Sequence, residues 1–294
     1  MLDSFLPSIQ KKVSSRIKSL IGDSNLIEKS MAHTSLASSK MIRAGLLIAS
    51  GGLNNNIKSD SLISMASAVE MMHSYSLIHD DLPCMDDDDM RRNQPSNHVV
   101  FGEANAVLAG DALQALAFEV IARDKNLSAL QKVESIKILA SACGKNGMIY
   151  GQHLDIENEN NPNLKRSELD NIHKLKTGKL IESSILLGQV DSGLGEKDLQ
   201  NLKNFSALIG LAFQIKDDVL DVVGASEKMG KSNLSDQKNE KSTYVGIVGL
   251  EESISRYKKL TRDAISSLKK ISFNNRANSK ELEKLATFII DRDN

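Results

Sequence analysis

The sequence contains no tryptophan, and its aromatic residues make up only 4% of the 294 positions. That scarcity argues against a protein that stacks nucleobases on aromatic side chains. The net charge of −1 is also too small to attract nucleic acid or an acidic membrane through an overall field. We therefore expect no nucleic acid partner.

Cysteine is almost absent as well. The two cysteines, Cys84 and Cys143, lack the spacing of a metal site or a disulfide, which favours a reducing compartment. The first residues lack the apolar segment of a signal peptide, and no apolar run approaches the roughly 18 residues that a membrane helix needs. The expectation is a cytoplasmic protein without a membrane span.

Proline is scarce too, with four in the whole chain, and period-two alternation is missing, which together favour an all-α fold. The pattern of apolar residues predicts helices over 61–82, 127–149, 167–189 and 199–222. Residues 223–240, rich in glycine and lysine, are predicted to form a flexible lid. No linker is visible, so we predict one domain over residues 1–294.

Two acidic clusters follow strongly apolar helical segments. The first places six carboxylates within the ten residues from Asp80 to Asp89. Pro83 should end the helix that leads into this cluster, and the resulting bend would let Asp80 and Asp86 converge. The second cluster sets Gln214, Asp217, Asp218 and Asp221 at i, i+3, i+4 and i+7, which is one stripe of a helix.

Carboxylate oxygens select hard cations, and Mg²⁺ typically takes one or two of them while leaving positions for water and phosphate. Two such clusters facing each other would hold more than one Mg²⁺, with a polyphosphate between them. Nearby cations would bind the remaining phosphate oxygens and draw charge onto a departing diphosphate. The candidates are Arg91, Arg92, Lys176, Lys231 and Lys241. The alternative for the first cluster alone is an exposed acidic turn.

Further up the chain, Lys40 and Arg43 are three residues apart and share one helix face, and His73 lies on the same face as Asp80. A buried histidine at such a position is often structural, but its register with Asp80 favours a functional role. No nucleophile–base arrangement stands out.

With these motifs the chain resembles the short-chain trans-isoprenyl diphosphate synthases, most closely the bacterial farnesyl diphosphate branch. The aspartate motifs appear as Asp80-Asp81…Asp86…Arg91-Arg92 and Asp217-Asp218-x-x-Asp221, and the segments 101–114, 176–178 and 241–244 also match. The resemblance implies a single bundle of some ten or more helices around a central cavity. It also implies a homodimer and condensation of isopentenyl diphosphate with an allylic diphosphate by ionisation, attack and proton loss.

The resemblance assigns roles residue by residue. Asp80 and Asp86 would bind two Mg²⁺ ions and Asp217 a third, with Asp81, Asp218 and Asp221 in support; Mn²⁺ would be an alternative ion. Asp80, Asp81, Asp86, Lys176, Asp217 and Asp218 would form the catalytic set. The allylic diphosphate would be held by Arg91, Lys176, Thr177, Gln214, Lys231 and Lys241, and the isopentenyl diphosphate by Lys40, Arg43, His73 and Arg92.

Two further inferences concern specificity. Where the family has Gly-Gly-Lys-Arg-x-Arg-Pro, this chain reads Ser38-Ser39-Lys40-Met41-Ile42-Arg43-Ala44, which suggests weaker isopentenyl diphosphate binding. Tyr75 would lie about 7 Å deeper than Asp80 along its helix and, with Ser76, would limit the growing chain to C15.

Three alternatives remain at this point. The chain could make geranyl or geranylgeranyl diphosphate instead of farnesyl diphosphate. A terpene cyclase could use a similar acidic helix end, although the second motif and the Lys40/Arg43/His73 set argue against it. A catalytically silent regulatory subunit should have lost an aspartate motif, and both motifs are intact.

Overall fold

A computed structural model describes residues 2–54, 56–159, 161–229, 243–273 and 276–291. Within these ranges the regular secondary structure is helical apart from one two-stranded hairpin, which confirms the all-α prediction. The α-helices are α1 (Leu2–Ile21), α2 (Leu26–Ser35), α3 (Ile42–Gly51), α4 (Ser59–Asp80), α5 (Asn97–Phe101), α6 (Glu103–Ala122), α7 (Ala129–Cys143), α8 (Met148–Glu157), α9 (Arg166–His173), α10 (Lys179–Leu187), α11 (Glu196–Met229), α12 (Tyr244–Val248), α13 (Leu250–Lys269) and α14 (Arg276–Asp291). Strands β1 (Met90–Arg91) and β2 (Gln94–Pro95) pair antiparallel, and a π-helical turn, Lys174–Gly178, joins α9 to α10.

Two predicted helices are interrupted. The expectation of one helix over 127–149 is wrong, because α7 ends at Cys143 and α8 begins at Met148. The backbone between them folds back so closely that a Cβ on Gly147 would lie 2.0 Å from the carbonyl oxygen of Ala142, which only glycine tolerates. The helix predicted over 167–189 is divided by the π-helical turn.

The lid prediction is corrected in part. Residues 223–229, assigned to the lid from composition, are helical, because α11 continues beyond the acidic stripe to Met229. The remaining residues of the predicted lid, 230–240, lie outside the described residues.

The chain divides into two compact units. The first comprises the residues up to Ala140 together with Ser184–Ser192. Its core takes fully buried side chains such as Val13 of α1, Leu46 of α3 and Val69 of α4. α4 is buried over most of its circumference, as its nearly continuous apolar sequence predicts.

The second unit comprises the described residues of Ser141–Ser183 and those from Gly193 onward. Its core joins residues of α9, α11, α12 and α13, among them Ile172, Ile215, Tyr244 and Leu260. The packing of α12 against α11 brings Tyr244, which is completely buried, to the helix that carries the second acidic cluster. The single-domain reading of residues 1–294 stays a prediction.

One described helix, α6, is long and apolar enough to cross a membrane by length and composition alone. Its apolar window is 39% buried. A core helix of a globular protein passes the same test, so this is weak evidence for a membrane span.

Candidate functional site

The first acidic cluster forms a tight turn at the end of α4. The helix ends at Asp80, and the backbone N–H of Asp86 donates to the carbonyl oxygen of Asp80 at 2.8 Å. The N–H groups of Met85 and Asp87 both donate to the carbonyl oxygen of Leu82, at 2.8 and 3.1 Å. The predicted bend is therefore present, and it brings the backbones of Asp80 and Asp86 together.

Asp81 points away from solvent. Its side chain is 1% exposed, and its Oδ1 accepts a hydrogen bond from Arg91 Nε at 2.8 Å. Arg91 also donates to Asp88 Oδ2 at 2.9 Å. Burial raises the pKa of Asp81, and the hydrogen bond from Arg91 opposes that rise. In this structure Asp81 holds Arg91 in place, and Arg91 bridges two carboxylates of the cluster.

The hairpin after the cluster turns on two residues in the left-handed region, Arg92 (φ 53°) and Asn93 (φ 61°). Positive φ at both central positions is the geometry of a type I′ turn, whose twist suits a two-residue hairpin. Asparagine tolerates this conformation better than most side chains. Asn93 therefore suits the second central position of this turn.

Arg43, His73 and Arg92 are brought together in the first unit. Burial lowers the pKa of His73 well below its ordinary value, and the charges of Arg43 and Arg92 lower it further. His73 is therefore neutral at pH 7. Lys40, the other predicted member of this set, lies exposed two residues before α3.

Glu70 lies beside the same arginines. It is 5% exposed, and its Oε1 accepts the backbone N–H of Ala44 at 2.9 Å. Burial raises its pKa, while Arg43, the Ala44 N–H and Arg92 counteract the rise. The sequence reasoning missed Glu70. The available signal was an acid inside an otherwise apolar helix, three residues before His73 and so on the same face.

Tyr75 is buried, at 7% exposure, and meets the ring of His79 edge-on with 5.2 Å between ring centroids. His79 Nε2 also contacts the carbonyl oxygen of Val107 on α6 at 3.1 Å. Gly110 makes room for this ring, because a Cβ there would lie 2.1 Å from His79 Nε2. Ser76, the other predicted chain-length residue, donates to the carbonyl oxygen of His73.

In the second acidic cluster the three aspartates have different surroundings. Asp218 is buried; its Oδ2 accepts the backbone N–H of Tyr244 at 2.8 Å and contacts His173 Nε2 at 3.2 Å. Asp217 is half-buried and Asp221 is exposed. Asp218 thus ties α11 to α12 and α9. His173 is a second residue that the sequence reasoning missed.

The π-helical turn presents Lys176 and Thr177. Lys176 Nζ donates to Asp155 Oδ2 at 2.6 Å, and Thr177 Oγ1 donates to Gln214 Oε1 at 2.6 Å. π-helical turns recur at functional sites. Thr177 and Gln214, predicted to act together, are therefore in direct contact, and Asp155 of α8 is a third missed residue.

Two glycines let neighbouring helices approach this turn closely. A Cβ on Gly151 of α8 would lie 2.1 Å from the backbone nitrogen of Lys176. A Cβ on Gly210 of α11 would lie 2.8 Å from Gly178 Cα. Both contacts involve backbone atoms, which cannot rotate away. The position of the turn therefore depends on glycine at both places.

The aspartates supply the hard oxygen donors that Mg²⁺ prefers. Among the described residues, no group of three or more Asp, Glu, His or Cys side chains is arranged to hold a metal by itself. Mg²⁺ usually keeps water and phosphate oxygens and takes only one or two carboxylates, so pairs such as Asp80 with Asp86 fit the ion. Lys231 and Lys241, predicted to bind the allylic diphosphate, lie outside the described residues.

The chain is similar to known proteins in family, sequence and structure. The family model described as Polyprenyl synthetase matches residues 24–282. The farnesyl diphosphate synthase of Escherichia coli is 42% identical over 270 residues, which cover 91% of this chain and 89% of that protein. A geranylgeranyl diphosphate synthase of Cyanophora paradoxa is 40% identical and covers 93% of this chain and 90% of that protein.

Solved structures support the same family relationship. A structure described as a FPP/GFPP synthase from Zymomonas mobilis superposes with a TM-score of 0.85 at 30% sequence identity. The match covers 98% of each chain. The helical architecture is thus that of the isoprenyl synthases over nearly the whole length.

Proposed function

We infer that the chain, which belongs to the polyprenyl synthetase family and is a prenyltransferase, makes farnesyl diphosphate. It would condense isopentenyl diphosphate with dimethylallyl diphosphate and then with geranyl diphosphate. The observation that carries this inference is the joint presence of both aspartate motifs and the Arg43–His73–Arg92 cluster. A synthase that joins two diphosphate substrates needs a site for each of them.

The metal chemistry rests on oxygen donors. Members of the family use divalent metal ions, and we propose Mg²⁺ here, three ions in all, with Mn²⁺ as a substitute that also accepts carboxylate ligands. Asp80 and Asp86 would hold two ions and Asp217 the third, with Asp221 in support. Bound Mg²⁺ would neutralise charge that develops on the departing diphosphate. Asp81 and Asp218 would act mainly through the groups that they hold, Arg91 in one case and Tyr244 in the other.

The allylic diphosphate would be held by side chains of both motifs. One hydrogen bond of 2.6 Å joins Lys176 to Asp155, and another of 2.6 Å joins Thr177 to Gln214. These bonds orient the side chains before substrate arrives. Such preorganised donors stabilise developing charge without reorganising at the moment of reaction. Arg91, Lys231 and Lys241 complete the proposed set.

Isopentenyl diphosphate would bind to Lys40, Arg43, His73 and Arg92. A neutral His73 donates one hydrogen bond to a phosphate oxygen, while the arginines supply the charge. We propose no protein base for the final proton loss, because no residue of suitable chemistry stands out in the sequence. The released diphosphate would accept the proton.

We propose that Tyr75 limits the length of the product. Its ring is buried one and a half turns before Asp80 and braced against His79, so it would block a chain growing along α4. That supports a C15 product. A second candidate is a geranylgeranyl diphosphate synthase, which the 40% identity to the Cyanophora paradoxa enzyme favours.

We propose a cytoplasmic homodimer. Large exposed apolar side chains concentrate on consecutive helices of the first unit: Val99, Val100, Val107, Leu108, Leu130 and Val133. A second copy covering these residues would remove apolar surface from water. It would also explain why α6 is apolar yet only partly buried. Sedimentation of the purified protein, compared with a Leu108→Glu variant, would test this assembly.

The function is tested by incubating the protein with Mg²⁺, dimethylallyl diphosphate and labelled isopentenyl diphosphate. Formation of labelled prenyl diphosphates, abolished by EDTA and restored by Mg²⁺, is the expected result. A cyclic hydrocarbon from farnesyl diphosphate alone would indicate a terpene cyclase. Binding of Mg²⁺ without turnover would indicate a silent subunit.

A further inference from the structure

The start of α3 is held by a residue of another helix. The N-cap position is Met41, whose side chain makes no capping hydrogen bond and whose backbone is left-handed (φ 45°, ψ 47°). The first N–H groups of a helix have no partner within it, and a capping side chain normally accepts one from the second or third residue. Here the N–H of the third residue, Ala44, donates to Glu70 Oε1 of α4 at 2.9 Å.

The hydrogen bond to Glu70 depends on the residue at position 44. Proline, which the family pattern has at this position, carries no N–H and cannot make it. Ala44 is completely buried, so water would not replace a lost partner. Alanine at position 44 therefore has a structural consequence, because its N–H donates the hydrogen bond that Glu70 accepts.

Two cations also act on Glu70. Arg43 lies one residue before Ala44, and the charges of Arg43 and Arg92 both act on the Glu70 carboxylate. Arg92 comes from the hairpin turn and Arg43 from α3, so a single buried carboxylate relates two elements that are far apart in sequence. Removing it would leave two partly buried cations to repel each other.

We propose that Glu70 is a positioning residue for isopentenyl diphosphate: it sets Arg43 by anchoring α3 through the N–H of Ala44, and its charge attracts Arg92. The inference rests on the proposed function. In this chain the hydrogen bond between Ala44 and Glu70 would fix the start of α3 in place of the glycines, arginine and proline that the segment Ser38–Ala44 lacks. Glu70 touches neither the allylic diphosphate nor the aspartates in this account, so its effect should be selective for one substrate.

The test compares Ala44→Pro, which removes the N–H, with Ala44→Gly, which keeps it and adds no atom. Ala44→Pro should raise the KM for isopentenyl diphosphate about tenfold, as expected for one lost buried hydrogen bond. Its kcat and its KM for the allylic diphosphate should stay within about twofold of wild type, since neither depends on this anchor. Ala44→Gly should stay close to wild type in all three constants.

Glu70→Asp is the second variant, because it keeps the charge but shortens the reach to Ala44. Glu70→Asp should show the same selective rise in the KM for isopentenyl diphosphate. In the double variant with Ala44→Pro, this KM should be no higher than in the more affected single variant, because both substitutions remove the same interaction. Equal KM values in Ala44→Pro and Ala44→Gly, or a wild-type KM in Glu70→Asp, would overturn the proposal. A uniform loss in kcat and both KM values would overturn it too. No turnover by the wild-type protein would instead refute the proposed function, and this inference with it.

Discussion

Lys176 Nζ lies 2.6 Å from Asp155 Oδ2, so the lysine proposed to hold the allylic diphosphate already has a carboxylate partner. Both side chains are partly exposed, at 25% and 35%, and the pair therefore orients the lysine more than it stabilises the fold. Misplacing a catalytic cation by an ångström can lower a rate severely.

We predict that Asp155→Ala lowers kcat about tenfold without raising the KM for the allylic diphosphate, because Lys176 keeps its charge but loses its orientation. Asp155→Asn, which keeps an acceptor oxygen, should retain most of the rate. Steady-state kinetics with varied allylic diphosphate provide the measurement. A rise in KM matching that of Lys176→Ala, or an unchanged kcat, would argue against an orienting role.

The approach of α11 to the π-helical turn gives a second prediction. Gly210→Ala would place a Cβ 2.8 Å from Gly178 Cα, and relieving that contact should cost about 1–3 kcal/mol of unfolding free energy. Because the turn carries both Lys176 and Thr177, moving it as a whole should raise the KM for the allylic diphosphate as well. Gly195→Ala is the matched control, since nothing lies within 4 Å of its added Cβ. Urea unfolding curves that coincide for the two variants would contradict the prediction.

Tyr75 provides the third prediction. Tyr75→Ala removes the buried ring beside His79 and should shift the products toward C20 and longer chains, because space opens along α4 below Asp80. Tyr75→Phe keeps the ring and should still stop at C15. Chromatography of the dephosphorylated products measures the distribution. An unchanged distribution for Tyr75→Ala would rule out Tyr75 as the limit to chain growth.

The fourth prediction concerns pH. Burial lowers the folded-state pKa of His73 well below its ordinary value, so below about pH 6.5 the unfolded chain binds a proton that the folded chain excludes. As the pH falls through that range, stability should therefore fall by up to roughly 1.4 kcal/mol per pH unit from this residue. Burial raises the pKa of Glu70, so at lower pH the protonation of Glu70 changes the stability in the opposite direction.

Comparison with His73→Gln isolates the histidine, because glutamine does not titrate and Glu70 is present in both proteins. Between pH 7 and 5 the unfolding free energy of the variant should decline less steeply than that of wild type. Parallel curves would mean that the pKa of His73 is the same in the folded and the unfolded chain.

Local sequence signals predicted much of this structure. Pro83 alone was enough to predict the end of α4 and the approach of Asp86 to Asp80, because all three lie within seven consecutive residues. The stripe from Gln214 to Asp221 follows from helical periodicity in the same way.

The residues that escaped prediction have partners far along the chain. Glu70 meets Ala44 across 26 positions, Asp155 meets Lys176 across 21, and His173 meets Asp218 across 45. No local pattern encodes such pairs, since packing of separate helices creates them. The extent of α11 was missed for another reason: composition favoured a loop over 223–229, but the helix, once formed, continues through it.

The central claim is that the chain elongates an allylic diphosphate to C15 and stops. Its most direct test is a time course with Mg²⁺, dimethylallyl diphosphate and excess labelled isopentenyl diphosphate, followed by sizing of the products. The account predicts that a C10 intermediate appears first and is converted to farnesyl diphosphate, which accumulates although isopentenyl diphosphate remains. Continued conversion to C20 under these conditions, or an end at C10, would contradict it.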